Sequence, residues 1–271
     1  MSEQQSKRII TESHSLNSIL LNREVIIDCY LPVNVSQPDQ ISLLLINDGQ
    51  DLPKMPFDEI LNSLLEAELI EPVLCVGIYC SADRKMEYGV ASQPDYKGRG
   101  AKAGAYSNFV FQELLPFIHK TYNVPSFKEK SFAGFSLGGL SALDIVWNHP
   151  EEFANVGVFS GSLWWRSRGY KEGYNDDKDR IMHQQIKNGK FYSWLKFFFE
   201  CGALDEKADR NKNGIIDAID DTLDLIKELR EKGYDESAIK YLELEDGMHD
   251  VPTWAKAFPE FLSWGWKKSK N

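Results

Sequence analysis

Short apolar runs alternate with amphipathic runs along most of this 271-residue chain, and this alternation constrains the fold more than any other feature. The runs with strand character are EVIIDCYLP, ISLLLIND, PVLCVGIY, KSFAGF, ANVGVFS, LKFFFECG and IKYLELE. Several are apolar almost throughout, which is typical of parallel strands covered on both faces. The strand-then-helix repetition predicts a doubly wound, mostly parallel α/β sheet with helices on both faces.

The segments between these strands predict one domain over residues 1–271. Helical periodicity marks FDEILNSLLEAELI, AYSNFVFQELLPFIHKTY, SLGGLSALDIVWNH, DDTLDLIKELREKG and VPTWAKAFPEFLSWGW, and no repeat or linker separates them. Two stretches break the rhythm: residues 161–194 form a cap-like polar and aromatic excursion, and residues 203–220 form an acidic loop insertion. Such excursions at strand ends usually shape the binding cleft of an α/β fold.

Composition narrows the expected partners and compartment. The formal net charge of −10 has no basic stripe to offset it, which argues against nucleic acid. No apolar run is long enough to span a bilayer, and the first residues, MSEQQSKRII, lack a secretion signal. The cysteines lie in or beside apolar runs without metal-ligand spacing: Cys29, Cys75, Cys80 and Cys201. We therefore expect a cytoplasmic protein of unspecified oligomeric state.

One serine lies between two glycines where a predicted strand meets a predicted helix. In GFSLG, Ser136 follows KSFAGF and opens SLGGLSALDIVW, which is the context of a nucleophile elbow. Flanking glycines allow the tight bend, and the N–H of Leu137 would face a developing oxyanion at the helix start. The motif alone is weak, and a structural glycine turn is the alternative. The strand–turn–helix context favours a nucleophile.

A serine hydroxyl needs a base to accept its proton, and His249 is the best candidate. It lies in LEDGMHDVPTW, a short loop between the last predicted strand and helix, from which it could reach Ser136. The alternative for His249 is a capping or loop role. The other histidines lie near the N-terminus, at helix ends or in the excursion: His14, His119, His149 and His183.

The orienting acid and the second oxyanion donor are expected from two other loops. Asp205 follows LKFFFECG, which gives the chain order Ser, Asp, His, and it would hold the imidazole tautomer. Asp209 and Asp246 compete, but the short GALD step keeps Asp205 beside the sheet edge. In DGQDLPKM, which follows ISLLLIN, the N–H of Gln50 would be the second oxyanion donor beside that of Leu137. The alternative is a plain Asp-Gly turn without a catalytic role.

With these elements placed, the sequence resembles the Putative esterase (esterase-D-like) family of α/β hydrolases over roughly residues 20–265. The resemblance rests on LLINDGQ, DRKMEYG, YSNFVFQELLPFI, FAGFSLGGLSAL, HPEEFANVGVFSGSLWW and GMHDVPTW, in the family's order. It implies the α/β-hydrolase fold and ester hydrolysis through an acyl-serine. It also implies a triad of Ser136, Asp205 and His249, with Leu137 and Gln50 as oxyanion donors. Members include feruloyl, acetylxylan and enterobactin esterases and mycolyltransferases.

The expected substrate is a small-molecule phenolic, acetyl-sugar or siderophore-type ester. SGSLWW resembles the enterobactin and feruloyl esterase-like branch, and Trp164 and Trp165 could form an aromatic wall or simply pack the core. Arg84 and Glu87 could bind an anionic substrate group or form a surface ion pair. Two rival functions are acyl transfer, with residues 161–194 excluding water, and binding of calcium or carbohydrate without turnover.

The acidic loop DRNKNGIIDAID has the ligand spacing of an EF-hand, with Gly214 at the sharp turn and the Ile215 carbonyl at position seven. Side-chain oxygens at positions one, three, five, nine and twelve come from Asp209, Asn211, Asn213, Asp217 and Asp220. The aspartate at twelve resembles dockerin-type loops. We expect a structural calcium that fixes the loop of Asp205, although catalysis needs no cofactor. The alternative is an Asn-Gly turn whose aspartates cap the next helix.

Overall fold

The strands of this protein form one continuous sheet in a computed structural model that describes residues 8–33, 35 and 40–268. The strands are β1 (Ile9–Ser18), β2 (Arg23–Pro32), β3 (Ser42–Asn47), β4 (Val73–Ile78), β5 (Lys130–Phe135), β6 (Asn155–Phe159), β7 (Lys196–Gly202) and β8 (Ile239–Leu244). Their order is β1-β2-β4-β3-β5-β6-β7-β8. The pairs β1–β2 and β2–β4 are antiparallel, and all other neighbours are parallel.

Helices cover both faces of the sheet, as the sequence predicts. They are α1 (Phe57–Glu66), α2 (Arg84–Glu87), α3 (Ala103–Phe109), α4 (Leu115–Tyr122), α5 (Leu137–Asn148), α6 (Asp176–Asp179), α7 (Ile181–Asn188), α8 (Asp217–Lys232) and α9 (Val251–Gly265). A π-helical stretch, Val110–Leu114, joins α3 to α4. Within the described part of the chain, no helix combines the length and apolarity needed to cross a membrane.

Alternation along β3 shows how the two faces are divided. Leu43 and Leu45 are fully buried in the core cluster that contains residues of α3, α4, α5, α7 and α8. Leu44 and Ile46 are fully buried in a second cluster, built with residues of α1 and α9. Since successive side chains of a strand point to opposite faces, an apolar run such as SLLLIN serves both cores at once.

The edge strand β1 was not predicted from the sequence. It pairs antiparallel with β2, but of its ten residues only Ile9 and Ser18 are buried. Its sequence, IITESHSLNS, therefore lacks the apolar run by which the inner strands were predicted. β1 lies four strands from β5 and forms one edge of the sheet, and β8 forms the other edge.

Residues 161–194 contain α6 and α7, and ion pairs, one of them almost fully buried, fix these helices against α8 and the loop before it. The Arg180 guanidinium contacts Asp221 at 2.7 Å, and Arg210 contacts Asp176 at 2.7 Å as well as Asp221. Arg180 also pairs with Asp224 at 2.7 Å. Because Arg180 and Asp221 are almost fully buried, separating them would leave uncompensated charges, and the segment is held against the domain.

Candidate active site

Ser136 occupies a strained bend between β5 and α5. Its backbone has φ 54° and ψ −120°, a conformation that side-chain-bearing residues rarely adopt. A Cβ added to Gly134 would lie 2.4 Å from the carbonyl carbon of Gly138, so the two flanking glycines allow the strand and helix to approach. The bend places Ser136 beyond the carboxyl end of β5, where parallel α/β sheets bind their ligands.

A second serine accompanies the first. The Oγ atoms of Ser136 and Ser162 lie 3.4 Å apart, and the Ser162 N–H donates to the Ser136 carbonyl at 3.0 Å. The Ser136 N–H donates to the Phe159 carbonyl at 2.8 Å, which joins the bend to the end of β6. Sequence analysis did not single out Ser162, although its position in the SGSLWW motif is a signal that could have done so.

His249 lies in the loop between β8 and α9. Asp250 caps α9 by accepting from the Thr253 N–H at 3.0 Å, and Pro252 occupies the first turn, as the loop sequence suggests. The His249 ring meets Trp254 edge-on at 5.5 Å between ring centroids, and Trp254 stacks on Phe135 at 4.9 Å. Because Phe135 directly precedes Ser136, Trp254 links the histidine loop to the nucleophile bend. Among the described residues, no hydrogen bond joins His249 to Ser136.

Asp205 faces the same histidine from the loop after β7. Its Oδ2 lies 3.7 Å from His249 Nδ1, and its side chain is only 1% exposed. Neither carboxylate oxygen has a hydrogen-bond partner within the described residues. The 3.7 Å distance is longer than a hydrogen bond, as is common at catalytic sites without substrate.

The two competing aspartates are engaged elsewhere. Asp246 is exposed and pairs with Lys256 at 2.6 Å. Asp209 accepts the N–H groups of Asn213 and Gly214 within the acidic loop, at 3.1 and 3.0 Å. Of the three candidate acids, the geometry places Asp205 against His249.

Glycines hold the acid and histidine loops together. A Cβ on Gly202 would lie 2.4 Å from the carbonyl carbon of Gly247, so the end of β7 touches the histidine loop directly. The Leu204 N–H donates to the Gly247 carbonyl at 2.8 Å. These contacts explain how residues separated along the chain meet at the carboxyl ends of β7 and β8.

The predicted oxyanion donors lie at adjacent strand ends. β3 and β5 are parallel neighbours, and Asn47 Nδ2 donates to the Gly138 carbonyl at 2.8 Å, which joins the two ends. Asp48, at φ 60°, begins the short 3-10 helix that contains Gln50. In the described ranges, no carbonyl accepts from the N–H of Gln50 or Leu137, so both remain available for an oxyanion.

Arg84 and Glu87 do not pair with one another. Arg84 makes a two-pronged pair with Asp48, at 2.7 and 2.6 Å, and Glu87 makes one with Arg23, at 2.9 and 2.8 Å. Asp48 and Glu87 are both almost fully buried. Of the two alternatives for these residues, the surface ion pair between Arg84 and Glu87 does not form, because each side chain pairs with a residue of another element.

The two tryptophans have different surroundings. Trp165 is fully buried, and a Cβ on Gly89 or Gly100 would lie 2.7 or 2.8 Å from its ring. This packing corresponds to the core alternative for Trp165, not to a substrate wall. Trp164 is half-buried and lies under the Arg99 guanidinium at 4.7 Å. Of the pair, Trp164 is the one with surface to offer a substrate.

The acidic loop closes on its own side chains. Asn213 Nδ2 donates to Asp220 at 3.0 Å, and Asn211 Nδ2 donates to the same carboxylate at 2.6 Å. Gly214 has φ +88°, as the sharp turn requires, and Ile215 is exposed. Asp217 instead accepts from the Arg210 N–H at 2.8 Å at the start of α8.

Within the described residues, no three carboxylate, histidine or cysteine side chains converge as metal ligands. The spacing of the acidic loop thus remains the basis of the calcium prediction. An EF-hand site also draws on amide and carbonyl oxygens, which Asn211, Asn213 and Ile215 carry here.

A buried carboxyl beneath the acid loop was missed by sequence reasoning. Glu200, near the end of β7, is fully buried, and neither side-chain oxygen has a hydrogen-bond partner among the described residues. Burial and the neighbouring Asp205 charge raise the pKa of Glu200 to about 8. The signal was available, because this is the one acidic residue in the apolar run LKFFFECG.

Comparison with known proteins identifies the family. A family model described as "Putative esterase" matches residues 18–264. The uncharacterized protein YjcH of Bacillus subtilis is 22% identical over 217 residues, which cover 78% of this chain and 80% of YjcH.

Solved structures share the fold at low identity. The enterobactin esterase FES of Shigella flexneri has a TM-score of 0.70 and 22% identity; the match covers 96% of this chain but only 60% of FES. A ferulic acid esterase has a TM-score of 0.71 at 18% identity, covering 96% and 98% of the two chains. The siderophore hydrolase EstB of Aspergillus nidulans has a TM-score of 0.71 at 17% identity, covering 95% of each chain.

These similarities confirm the expected α/β-hydrolase fold, and the family match confirms the resemblance found in the sequence motifs. Since the family model covers nearly the whole chain, the protein belongs to the Putative esterase family of α/β hydrolases, whose members act on esters.

Proposed function

We propose that the protein is a serine carboxylic-ester hydrolase that works through an acyl-serine intermediate. The observation that carries this proposal is the strained, non-glycine φ of Ser136 at the carboxyl end of β5, on the sheet edge that also holds Asp205 and His249. Strain of this kind persists only where the surrounding structure maintains it, and it is concentrated at active sites and ligand-binding sites. Here the bend lies beside α5 and the neighbouring β3, whose ends carry the N–H groups of Leu137 and Gln50, and within the described residues no carbonyl accepts from either group.

In the proposed mechanism each group has one role. His249 turns Nδ1 toward Asp205, which leaves Nε2 free to take the Ser136 proton as Oγ attacks the acyl carbon. The N–H groups of Leu137 and Gln50 would stabilise the oxyanion of the tetrahedral intermediate. His249 then returns the proton to the departing alcohol, and a water molecule, activated by the same imidazole, hydrolyses the acyl-serine.

The side chains beyond Ser162 support a proposal for the substrate class. Trp164 offers a half-buried ring with the Arg99 guanidinium above it, and Arg99 is itself held by Asp95 at 2.8 Å. An aromatic face of this kind suits a flat phenolic acyl or alcohol group. Two of the similar structures are described as enterobactin and ferulic acid esterases, which fits a phenolic or siderophore-type ester. An acetyl-sugar ester is the alternative small-molecule substrate.

A cytoplasmic location belongs to the same proposal. Cys29, Cys75, Cys80 and Cys201 are all free, and three of them are buried, which suits a reducing compartment.

Acyl transfer to an acceptor other than water is the second candidate. It requires a segment that closes over the acyl-enzyme, and residues 161–194 are instead fixed by the Arg180–Asp221 pair. A protein that binds ligand without turnover is the third candidate, and it would leave Ser136 unreactive.

The test compares three esters with the wild type and Ser136→Ala: p-nitrophenyl acetate, p-nitrophenyl butyrate and methyl ferulate. We expect turnover of the aryl esters by the wild type and its loss in the variant, with free acid as the product. Preferential use of methyl ferulate would support the phenolic class, and its exclusion would favour small acyl groups. Appearance of an acylated alcohol in place of free acid would support the transferase.

A further inference from the structure

One guanidinium bridges the two backbone segments that carry the predicted oxyanion donors. Arg84 Nε and Nη2 donate to the two carboxylate oxygens of Asp48, and Nη2 also reaches the Phe135 carbonyl at 3.3 Å. Asp48 lies two residues before Gln50, and Phe135 lies two residues before Leu137. The same side chain is therefore tied to both walls of the oxyanion hole.

We propose that Arg84 is a positioning residue that sets the separation between the N–H groups of Gln50 and Leu137 through its contacts with Asp48 and Phe135. This inference rests on the proposed ester hydrolysis and adds a determinant of its rate. Oxyanion donors must be in place before reaction, since their value comes from needing no rearrangement when charge develops. A guanidinium with fixed fork geometry is better suited to this task than a flexible ammonium.

The bridge is rigid on the Asp48 side. Asp48 is 2% exposed and held at φ 60°, and its N–H donates to the Tyr88 hydroxyl at 3.3 Å. The Arg84 guanidinium lies over the Tyr88 ring at 5.1 Å. Burial opposes the charge of Arg84, but the hydrogen bonds and charge of Asp48 outweigh it and raise the pKa of Arg84. The guanidinium therefore stays charged around neutral pH, as arginine side chains in proteins do.

The same contacts oppose a direct role in binding anionic substrates. The Asp48 carboxylate already neutralises Arg84 and occupies both Nε and Nη2. An anionic ester group would have to displace a nearly buried carboxylate, leaving that charge unpaired. Arg84 should thus affect neutral and anionic esters alike.

The experiment replaces Arg84 and uses Arg23 as the matched control. Arg23 makes an equally two-pronged pair with Glu87, at the other end of α2, and within the described residues its other hydrogen bonds go to the carbonyls of Glu24 and Tyr79. Arg84→Gln and Arg23→Gln each remove one buried pair. Only the first pair touches the segments that carry Gln50 and Leu137.

For each variant, kcat and KM are measured on p-nitrophenyl acetate, which is neutral, and on p-nitrophenyl hemisuccinate, which is anionic. We expect Arg84→Gln to lower kcat by about 10–100-fold on both esters with KM nearly unchanged, since an oxyanion donor contributes about 10²–10³-fold. Arg23→Gln should leave kcat within about twofold of the wild type, since its pair contacts neither donor segment. A thiono analogue of p-nitrophenyl acetate tests the oxyanion hole directly, because sulfur replaces the oxygen that the N–H groups would bind. The ratio of kcat for the oxygen ester to kcat for the thiono ester should be smaller in Arg84→Gln than in the wild type.

Three results would overturn the inference: an unchanged kcat in Arg84→Gln, a loss confined to KM for the hemisuccinate, or an equal kcat loss in Arg23→Gln. If Arg84→Gln does not fold, Arg84→Lys decides, because it keeps a positive charge beside Asp48 but lacks the fork geometry that reaches both Asp48 and the Phe135 carbonyl. Its kcat should fall several-fold, and an unchanged kcat would contradict the bridge. A wild type that neither hydrolyses these esters nor reacts with a phosphonate would refute the proposed function itself.

Discussion

The candidate active site has two halves that are built differently. The nucleophile half, residues 47–50 and 134–138, is strained, nearly buried and cross-linked by Asn47 and Arg84. The histidine half, residues 202–206 and 245–250, is looser, with a His249 side chain 40% exposed and 3.7 Å from Asp205. The sheet itself therefore fixes the nucleophile and its predicted oxyanion donors, whereas loops and Trp254 hold the base. Substitutions in each half can therefore distinguish residues that take part in the reaction from residues that only position them.

Loss of His249 should show whether the histidine half takes part in the chemistry at all. His249→Gln removes the base, so kcat on p-nitrophenyl acetate should fall by about 10⁴-fold or more, as when a triad histidine is lost. The matched control is His14→Gln, because His14 lies on the far edge strand β1. If His249→Gln and His14→Gln had comparable turnover, His249 would not be the general base.

The next effect tests which carboxylate belongs to this half. Asp205→Asn should lower kcat by about 10³–10⁴-fold, because the amide no longer stabilises the imidazolium or fixes the tautomer. Asp246→Asn serves as the control, since its exposed pair with Lys256 contributes little. If kcat fell strongly in Asp246→Asn and little in Asp205→Asn, the acid would be Asp246 and not Asp205.

A smaller effect concerns the buried carboxyl beneath the histidine half. With a folded pKa near 8, Glu200 holds its proton in the native state at pH values where the unfolded chain has lost it. The native state therefore binds more protons, and this group makes the free energy of unfolding fall as pH rises from about 4.5 to about 8. Each pKa unit corresponds to about 1.4 kcal/mol.

Glu200→Gln should remove this fall, so the variant gains stability relative to the wild type by up to a few kcal/mol between pH 5 and pH 9. Urea unfolding at both pH values measures the difference. The conclusion would be wrong if the difference between the two proteins stayed constant with pH.

The smallest expected effect asks whether an ion stiffens the histidine half. If the acidic loop binds calcium, the ion stabilises the folded chain by about 2.7 kcal/mol at one hundred times Kd, which raises Tm by several degrees. Chelation should lower both Tm and ester turnover, and Asp220→Ala should abolish the response. Differential scanning calorimetry with calcium, magnesium or chelator measures it. If the chelator changed neither Tm nor ester turnover, the acidic loop would not bind a calcium ion that stabilises this site.

The sequence predicted the parts of the molecule that local patterns specify. Apolar runs placed the inner strands because each serves two cores, and GFSLG at a strand end placed Ser136 at its bend. β1 escaped prediction because an edge strand with one buried apolar residue has no such pattern. The partners of Arg84 and Glu87 also escaped, since both pairs join residues far apart in the chain. Trp164 and Trp165 are adjacent in sequence, and only packing separates a core ring from a half-buried one.

If Ser136 is a nucleophile, a fluorophosphonate should react with its hydroxyl. Ser162 supplies an internal control, because its hydroxyl lies 3.4 Å away without the strained backbone of the bend. Intact mass and peptide mapping should show one adduct on Ser136 in the wild type and in Ser162→Ala, and none in Ser136→Ala. An adduct on Ser162, or no adduct on a folded wild type, would show that Ser136 is not the nucleophile.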